Sequence, residues 1–330
     1  MESGEVTNLV KFKIEKITGD ASFRRFYRLL LKKKNKIIVL AEKEKYKNLI
    51  AYSSVNKYLK KNKILAPKLY RYNFDKGIIV IEDFGDLSLY KVLVKSKNKF
   101  KVYKKIIDLL IKIQNIKPKS KIRKINGGSY LINKYSNKYL FKESNLFFDW
   151  YLPLFLKRKK ISKIKMKSNK ILLKLYNRIN FPNNCFVHRD FHAQNLMRVG
   201  KNIGVIDSQD ALIGNPAYDL VSLIDDVRLK TSSKLKNQLY EYYLKKNSKI
   251  NMKYSKEFLE DFNILSVQRS LKIIGIFSRL FIRDKKKQYL KFIPYTWHLL
   301  NMRMNSKIFS DLKKVLNDNI SEKLKKKVLI

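Results

Sequence analysis

The sequence predicts an α+β protein of two lobes, a small amino-terminal lobe built on an antiparallel sheet and a mostly helical carboxyl-terminal lobe. Three observations predict this class. Short β-rich runs separated by polar turns occupy the first 85 residues. Long segments with helical period occupy most of the chain from residue 86 onward, and a β-rich island, at 185–210, interrupts them. The predicted lobes are therefore residues 1–85 and 86–330.

Five β-rich runs and one helix account for the amino-terminal lobe. The runs, in chain order, are KFKIEKITGD, FYRLLLKKK, NKIIVLAE, KLYRYNF and GIIVIED. Residues 44–62 carry apolar side chains near helical spacing and predict a helix after the third run. Pro67 ends that region, and a turn that closes on Gly77 joins the last two runs. FGD, at 84–86, predicts a short connector between the lobes.

Six long segments with helical period predict the carboxyl-terminal lobe. They are 88–116, 138–158, 161–179, 233–246, 256–284 and 288–301. Within the island, the apolar runs in CFVHRD and IGVID predict two short strands that pair as a hairpin. The lysine-rich tail, 306–330, is amphipathic and predicts a terminal surface helix.

The composition predicts a soluble globular protein. With 330 residues and 45 % apolar content, the chain can bury a sizeable core. Its single cysteine, Cys185, excludes a disulfide framework and a thiolate metal site of the usual kind, and it suits a reducing compartment. The amino terminus lacks the layout of a signal peptide, and no apolar run reaches membrane-spanning length. We therefore expect a cytoplasmic, monomeric protein with no membrane partner.

The net charge of +47 allows two interpretations. It arises from 74 Lys and Arg residues against 27 Asp and Glu residues. A polyanion such as nucleic acid is one partner that such a charge attracts. A compositional bias is the other interpretation, and it is favoured because Lys far outnumbers Arg and is spread over the whole chain. We expect no specific nucleic-acid partner, and a preference for anionic over polycationic substrates.

Three oxygen-bearing side chains form a pattern typical of phosphoryl transfer. Asp190 ends the run CFVHRD, Asn195 follows in VHRDFHAQN, and Asp207 ends the run IGVID. A carboxylate that accepts a hydroxyl proton, beside an amide and a carboxylate that bind Mg²⁺, is what transfer from a nucleotide needs. The alternative is that these residues only cap loops. The HxDxxxxN pattern followed by an apolar-flanked aspartate favours chemistry.

These motifs resemble a known family. VHRDFHAQN is similar to the catalytic loop of the aminoglycoside-phosphotransferase and choline-kinase branch of the protein-kinase-like fold, and IDSQDA to its metal-binding segment. Further stretches resemble the bacterial anomeric sugar kinases of peptidoglycan recycling, which phosphorylate the C1 hydroxyl of N-acetylmuramate or N-acetylglucosamine. These stretches are GDASFRRFYRL, IEDFGD, ESNLFFDWYL, DALIGNPAYDLVSL, QRSLKIIGIFSRL and IPYTW.

The resemblance implies a site that uses ATP and Mg²⁺. It assigns Asp190 as the catalytic base or hydroxyl-orienting carboxylate, and Asn195 and Asp207 as the Mg²⁺ ligands. It places nucleotide contacts in the GDASFRRFYR loop and at the connector backbone, namely Ser22, Phe23, Arg24, Glu82, Asp83 and Phe84. The third-strand lysine of protein kinases is absent, because Leu40 or Ala41 stands in its place. The recycling kinases also tend to lack it.

Six further residues are candidates for substrate contact or for support of the catalytic loop. They are His188, Arg189, His192, Asp210, Asp219 and Arg269. Arg269 either binds the acid group of a sugar or packs within its helix. Asp219 begins a helix and is expected to accept backbone N–H bonds or to support the loop. The aromatic residues at 147–151 either stack on a sugar or belong to the core.

The predicted function is ATP- and Mg²⁺-dependent phosphorylation of a small-molecule sugar, most specifically the anomeric hydroxyl of N-acetylmuramate or N-acetylglucosamine. One alternative is a kinase of aminoglycosides, choline or another small alcohol. An alternative from another class is a catalytically silent, basic protein that binds nucleic acid. The intact set of Asp190, Asn195 and Asp207 argues against the silent protein.

Overall fold

The computed structural model describes residues 13–17, 24–41, 47–248, 250 and 252–326. The chain divides into two compact units. The first unit contains Met1–Leu87, Arg123–Tyr130 and Met197–Gln209, and the second contains Ser88–Ile122, Leu131–Leu196 and Asp210–Ile330. The predicted boundary after residue 85 would assign 123–130 and 197–209 to the second lobe. As a statement about domains, that boundary stays a prediction.

The first unit is built on a five-stranded antiparallel sheet. Its strands are β1 (Lys13–Ile17), β2 (Arg25–Leu30), β3 (Lys36–Leu40), β4 (Leu69–Asn73) and β5 (Ile78–Glu82). They lie in the order β1-β2-β3-β5-β4, and each neighbouring pair is antiparallel. Alternate residues of β3 and β5 are buried, as the two-residue period of a strand requires. They pack with helix α1 (Lys47–Lys61) through Leu49 and Tyr52, and this confirms the predicted sheet with one helix.

The described part of the second unit is mostly helical, as predicted. Its α-helices are α2 (Leu89–Lys95), α3 (Lys99–Gln114), α4 (Asn137–Leu146), α5 (Arg158–Asn177), α6 (Ala217–Ile224), α7 (Ser233–Lys246), α8 (Ser255–Ile282), α9 (Ile293–Arg303), α10 (Ser310–Asn319) and α11 (Glu322–Lys326). The remaining short strands of the chain are β6 (Lys121–Arg123), β7 (Ser129–Leu131), β8 (Cys185–Val187), β9 (Leu196–Val199), β10 (Asn202–Val205) and β11 (Leu212–Gly214). The α+β class predicted from the sequence is confirmed.

The short strands pair differently from the sequence prediction. Strand β8, from CFVHRD, pairs with β11, and strand β10, from IGVID, pairs with β9. The predicted hairpin of those two runs is therefore wrong. A local signal explains the β9–β10 pair, because Gly200 adopts a positive φ of 57° in the turn between them. The β11 run, LIG, is too short to give a periodic signal of its own.

Two predicted helical segments are interrupted where local capping or geometry intervenes. The segment 88–116 contains both α2 and α3, because the Asn98 side chain caps the first turn of α3 by accepting the Lys101 N–H at 3.0 Å. The segment 138–158 contains α4, a π-helical turn (Phe147–Tyr151) and a short 3₁₀ turn (Leu152–Leu154). The period of apolar residues in the sequence does not distinguish these turns from a continuous helix.

The described part of the tail forms a short 3₁₀ turn (Lys307–Phe309) and two α-helices, α10 and α11, where one surface helix was predicted. Leu312 and Leu316 of α10 are buried, and the Lys325 side chain of α11 is only 2 % exposed. Helix α10 packs against α5, and α11 packs against α9. The described helices include none that is long and apolar enough to cross a membrane.

Helix α8 is the central packing element of the second unit. It packs against α4, α6 and α9, and most of its 28 residues are buried. At Gly275 it approaches the junction of α4 and the π-helical turn very closely. A β-carbon placed there would lie 2.2 Å from the backbone carbonyl carbon of Leu146. Backbone atoms cannot yield as a flexible side chain does, so only glycine fits at this crossing.

We expect Gly275→Ala to destabilise the protein by about 1–3 kcal/mol, the usual range for forcing extra volume into a packed core. A loss of stability would be informative, because replacing glycine by alanine in an ordinary helix increases stability by up to about 1 kcal/mol. Urea denaturation followed by circular dichroism measures the free energy of unfolding. Lys256→Ala, at an exposed position of α8, is the control and should change it by less than about 0.5 kcal/mol. A stabilised Gly275→Ala variant would contradict the close crossing.

Candidate active site

The loop at 188–195, which carries Asp190, follows the buried strand β8 and is held by α6. Asp219, in the first turn of α6, accepts the backbone N–H groups of His188 at 2.6 Å and of Arg189 at 2.9 Å. Asp219 is fully buried, and this burial raises its pKa to about 6 despite those two hydrogen bonds. Its carboxyl group is thus used within the protein, where it sets the path of the chain into the loop.

Arg189 holds a conformation that few residues other than glycine adopt. Its φ is +74°, in the left-handed region. Its carbonyl oxygen accepts hydrogen bonds from Ser222 Oγ and from Arg269 Nη1, both at 3.3 Å. Together with the Asp219 contacts, these bonds fix both sides of the Arg189 peptide unit. A non-glycine residue in this region is strained, and such strain recurs at functional sites.

Asp190 is partly exposed and lies among positive charges. Its side chain is 37 % exposed, and Arg269 Nη1 lies 3.6 Å from its Oδ1. Burial alone would raise the pKa of Asp190, but the charges of Lys272 and Arg269 outweigh it and hold the pKa well below its ordinary value. The carboxylate is therefore ionised at neutral pH and accessible, which are the two properties a proton acceptor needs.

Glu143 of α4 is the buried anion that balances these cations. Its carboxylate accepts hydrogen bonds from Arg189 and from the Tyr135 hydroxyl, and Lys272 Nζ lies 3.0 Å from its Oε1. Gln268 Nε2 donates to its Oε2 at 3.1 Å. Burial opposes ionisation, yet Lys272 and Arg189 lower the pKa of Glu143 to about 2. The Glu143 carboxylate thus joins α4 to α8 through Lys272 and to the 188–195 loop through Arg189.

The sequence interpretation missed both Glu143 and Lys272. Glu143 is the first residue of ESNLFFDWYL, a stretch that was considered for its aromatic side chains. Lys272 follows Gln268 by one helical turn in an otherwise apolar part of α8. The available signal was the helical spacing of Gln268 and Lys272 within an apolar helix. A charge at such a position predicts an oppositely charged partner, because buried charges need one.

Among the described residues, Asn195 makes its side-chain hydrogen bond through the amide nitrogen and not through the amide oxygen. Its Nδ2 donates to the backbone oxygen of Asp190 at 3.0 Å, and its backbone N–H donates to the His192 oxygen at 2.9 Å. The amide nitrogen is thereby used, and the amide oxygen is the atom that Mg²⁺ prefers. This geometry fits the predicted role of Asn195 as a metal ligand.

Asp207 belongs to the first unit, where it pairs with Arg24. Arg24 Nη2 lies 2.5 Å from Asp207 Oδ1, and Gln209 Nε2 donates to the same oxygen at 3.1 Å. The Asp207 side chain is 38 % exposed, and its φ of +64° is left-handed like that of Arg189. Ser208 Oγ anchors the segment to α1 through Asn56 Oδ1 at 2.7 Å. A partly exposed carboxylate of this kind fits a metal ligand.

Asp190 and Asn195 lie in the second unit, whereas Asp207 lies in the first. Their convergence on one ion therefore stays a prediction. Within the described residues, no group of three or more His, Cys, Asp and Glu side chains forms a metal site. The predicted nucleotide contacts at Ser22 and Phe23 lie outside the described residues, as does Lys43, which flanks the third strand in sequence.

The side chains of the predicted connector are engaged within the first unit. Asp83 pairs with Arg28 at 2.6 Å and accepts the Gly85 N–H at 2.8 Å. Glu82 pairs with Lys34 at 2.6 Å. Phe84 lies against Gly204, where a β-carbon would come within 2.5 Å of its ring. Because the carboxylates are occupied, a nucleotide at this segment would meet its backbone, as the resemblance implies.

The other candidates have varied surroundings. His192 is buried, and burial, followed by the charge of Arg228, holds its pKa well below the ordinary value. The Asp210 side chain is 55 % exposed, with a carboxylate oxygen 3.8 Å from Arg189 Nη1. Phe147, Phe148 and Tyr151 are fully buried, so they belong to the core and are not available to a sugar. Phe147 and Tyr151 pack against Trp297, and Phe148 packs edge-on against Phe147.

Comparison with known proteins places the sequence among kinases. A family model described as the phosphotransferase enzyme family matches residues 13–252. An N-acetylmuramate/N-acetylglucosamine kinase of Neisseria meningitidis is 25 % identical over 279 residues, covering 84 % of this chain and 81 % of that protein. A kinase of the same name from Pseudomonas aeruginosa is 28 % identical over 281 residues, covering 84 % and 79 %.

Among solved structures, the ADP-bound aminoglycoside phosphotransferase APH(2″)-Ib matches with a TM-score of 0.61. The sequence identity is 13 %, and the match covers 88 % of this chain and 93 % of that one. At this identity the likeness concerns the fold alone. The fold implied by the sequence resemblance is confirmed, and so is the resemblance to the sugar kinases.

Proposed function

The chain belongs to the phosphotransferase enzyme family, and from that premise we propose that it transfers the γ-phosphate of ATP to the anomeric hydroxyl of N-acetylmuramate or N-acetylglucosamine. One structural observation carries the chemical part of the proposal: a partly exposed Asp190 carboxylate that Lys272 and Arg269 keep ionised. The names of the two bacterial relatives support the choice of acceptor.

Asp190 acts on the acceptor hydroxyl in this mechanism. Its carboxylate accepts a hydrogen bond from the anomeric hydroxyl and takes the proton as the new oxygen–phosphorus bond forms. The bond from the γ-phosphorus to the bridging oxygen breaks, and ADP leaves with that oxygen. Asp219 and Arg269 keep the carboxylate in position through the backbone of residues 188 and 189. Positioning of this kind is the main protein contribution to phosphoryl transfer.

Asn195 and Asp207 are the proposed protein ligands of Mg²⁺. The orientation of the Asn195 amide and the exposure of the Asp207 carboxylate support this role. When bound, Mg²⁺ neutralises charge on the phosphates. Arg24, paired with Asp207, is the cation that we propose for the nucleotide phosphates in place of the missing third-strand lysine. Ser22 and Phe23 complete the proposed phosphate loop, and the backbone of 82–84 the adenine contact.

The charge of the protein favours an acid acceptor over a polyamine. The net charge is +47, and the described cations nearest to Asp190 are buried arginine and lysine side chains. An aminoglycoside would need a carboxylate-rich pocket, whereas the lactyl carboxylate of N-acetylmuramate is stabilised by positive charge. The proposal also includes a cytoplasmic location, where ATP is available, and a monomer as the working form.

Phosphorus NMR of the reaction products tests the proposal. The protein is incubated with ATP and Mg²⁺ and, separately, with N-acetylmuramate, N-acetylglucosamine, kanamycin or choline. We expect a new phosphomonoester signal, coupled to the anomeric proton, with one or both amino sugars only. A sample without acceptor gives the background hydrolysis of ATP. Phosphorylation of kanamycin or choline instead, or a phosphate at another sugar position, would refute the acceptor assignment.

A further inference from the structure

Arg228 carries a positive charge that the described residues do not neutralise. It follows α6 in the segment Asp225-Asp226-Val227-Arg228, and its side chain is half-buried. The guanidinium lies 5.9 Å from the centre of the Phe277 ring, and it makes no ion pair with any side chain in the described part of the chain. By contrast, Arg189, Arg269 and Arg303 each pair with a carboxylate.

The surroundings of Arg228 contain polar atoms without partners. Asp226 is buried; its Oδ1 accepts the Arg228 N–H at 3.0 Å, and its Oδ2 has no hydrogen-bond partner among the described residues. His192 is buried as well, and its Nδ1 likewise has none within the described ranges. Buried polar atoms are normally satisfied, so a hydroxyl or N–H group of a ligand would complete the bonding of these two atoms.

This region adjoins Asp190. His192 lies two residues beyond Asp190, and the charge of Arg228 acts on it. The carboxylate of Asp226 acts on Arg269, whose Nη1 lies 3.6 Å from Asp190. In the chain, the eight-residue helix α6 connects Asp219, which holds the catalytic loop, to the segment that carries Asp226 and Arg228. The ring beside Arg228, Phe277, follows Arg269 by eight residues in α8, a rise of about 12 Å along the helix. Arg228 is thus near enough to the loop of Asp190 for its charge to act on His192.

We propose that Arg228 binds the carboxylate of an acidic acceptor sugar and so determines the preference for N-acetylmuramate over N-acetylglucosamine. The proposal rests on the proposed function and adds a specificity residue to it. Arg269 is less suited to this task, because it is buried and its guanidinium already contacts Asp190 and the Arg189 carbonyl. A guanidinium binds a carboxylate with two parallel hydrogen bonds, and a neutral sugar lacks that group.

The test compares the two sugars in the wild type and in Arg228→Gln. We expect kcat/KM for N-acetylmuramate to fall about ten- to one-hundredfold, mainly through KM, since a charge-assisted contact to the substrate is lost. The value for N-acetylglucosamine should stay within about twofold. Arg228→Lys keeps the positive charge but cannot make two parallel hydrogen bonds. Its kcat/KM for N-acetylmuramate should lie between the values of the wild type and of Arg228→Gln. Lys230→Gln is the matched control, because it removes one charge from the same segment, where Lys230 is exposed and lies over the Tyr295 ring.

The outcomes separate this inference from the proposed function. If the wild type phosphorylates neither sugar, the proposed function fails, and the inference fails with it. If the wild type phosphorylates both sugars, and Arg228→Gln either lowers both rates equally or changes neither, only the inference is overturned. An equal loss of kcat/KM for N-acetylmuramate in Lys230→Gln and in Arg228→Gln would also overturn the inference, because such a loss would reveal a general effect of charge. Thermal unfolding of each variant verifies that the protein is folded.

Discussion

Replacing Asp190 by Asn is expected to lower kcat by about 10²–10⁴-fold, the range that a positioned proton acceptor contributes. An amide is nearly the same size as the carboxylate but cannot accept a proton at neutral pH. The structure keeps this carboxylate ionised through Lys272 and Arg269 and leaves it 37 % exposed, so substrate can reach it. Steady-state assays of sugar-dependent ADP release, at saturating ATP, measure the change.

Two comparisons make this result specific to the proton acceptor. ADP affinity, measured by calorimetry, should remain within about threefold of the wild-type value, because Asp190 acts on the acceptor and not on the nucleotide. Asp108→Asn removes an exposed carboxylate whose hydrogen bond, among the described residues, is with the Tyr242 hydroxyl, and kcat should stay within about twofold. An Asp190→Asn enzyme that keeps more than a tenth of the wild-type kcat would refute the assigned role.

Replacing Glu143 by Gln is expected to destabilise the protein by about 3–5 kcal/mol, the usual result of removing one partner from a buried ionic cluster. Arg189 and Lys272 would lose their shared anion inside the protein, at side-chain exposures of 17 % and 7 %. Guanidinium chloride is unsuitable as the denaturant because its ions screen ion pairs, so urea denaturation at pH 7 is preferred. Activity should fall too, since Arg189 shapes the catalytic loop.

The effect of Glu143 should depend on pH in a defined direction. The pKa of this group is lowered from 4.5 to about 2 on folding, so its contribution to stability is present above pH 4.5. That contribution is lost as the pH falls from 4.5 toward about 2. The difference in unfolding free energy between wild type and Glu143→Gln should therefore shrink over this interval.

Glu260→Gln is the matched control for Glu143. Glu260 forms a two-bond pair with Arg178, but the arginine side chain is 51 % exposed and the glutamate 27 %. Solvent screens such a pair, so its loss should change the free energy of unfolding far less than the loss of Glu143 does. If the two variants were equally stable, the buried cluster would not have the energetic role assigned to it.

The sequence allowed the sheet, most helices and the polar loop to be predicted, because each depends on short-range patterns. The β-rich apolar runs KIIVL and IIVIE, the polar turn ending at Gly77 and the VHRDFHAQN motif are all local. The resemblance then supplied the roles of Asp190, Asn195 and Asp207, which no spacing rule provides. Those roles await the experiments above, whereas the fold is confirmed by the structural likeness.

Features that depend on long-range packing escaped prediction. Strand β8 pairs with β11 and not with β10, and no local signal determines which strands become neighbours. Glu143 meets Arg189 and Lys272 only after α4, α8 and the loop have packed. The π-helical turn at Phe147–Tyr151 has an ordinary helical pattern of apolar residues, so the sequence alone could not distinguish it.

The separation of buried from exposed lysine and arginine residues means that the surface charge can change independently of the charges next to Asp190. In the part of the chain that the structure describes, the buried lysine and arginine residues are Lys236, Arg269, Lys272 and Lys325, whereas α5 alone exposes lysines at 159, 160, 163, 167, 170 and 174. Exposed charges more than about 10 Å apart are screened at ordinary ionic strength. Acylation of the exposed lysines, or their replacement during evolution, would thus change the surface charge and leave in place the buried Lys272 and Arg269, which keep Asp190 ionised.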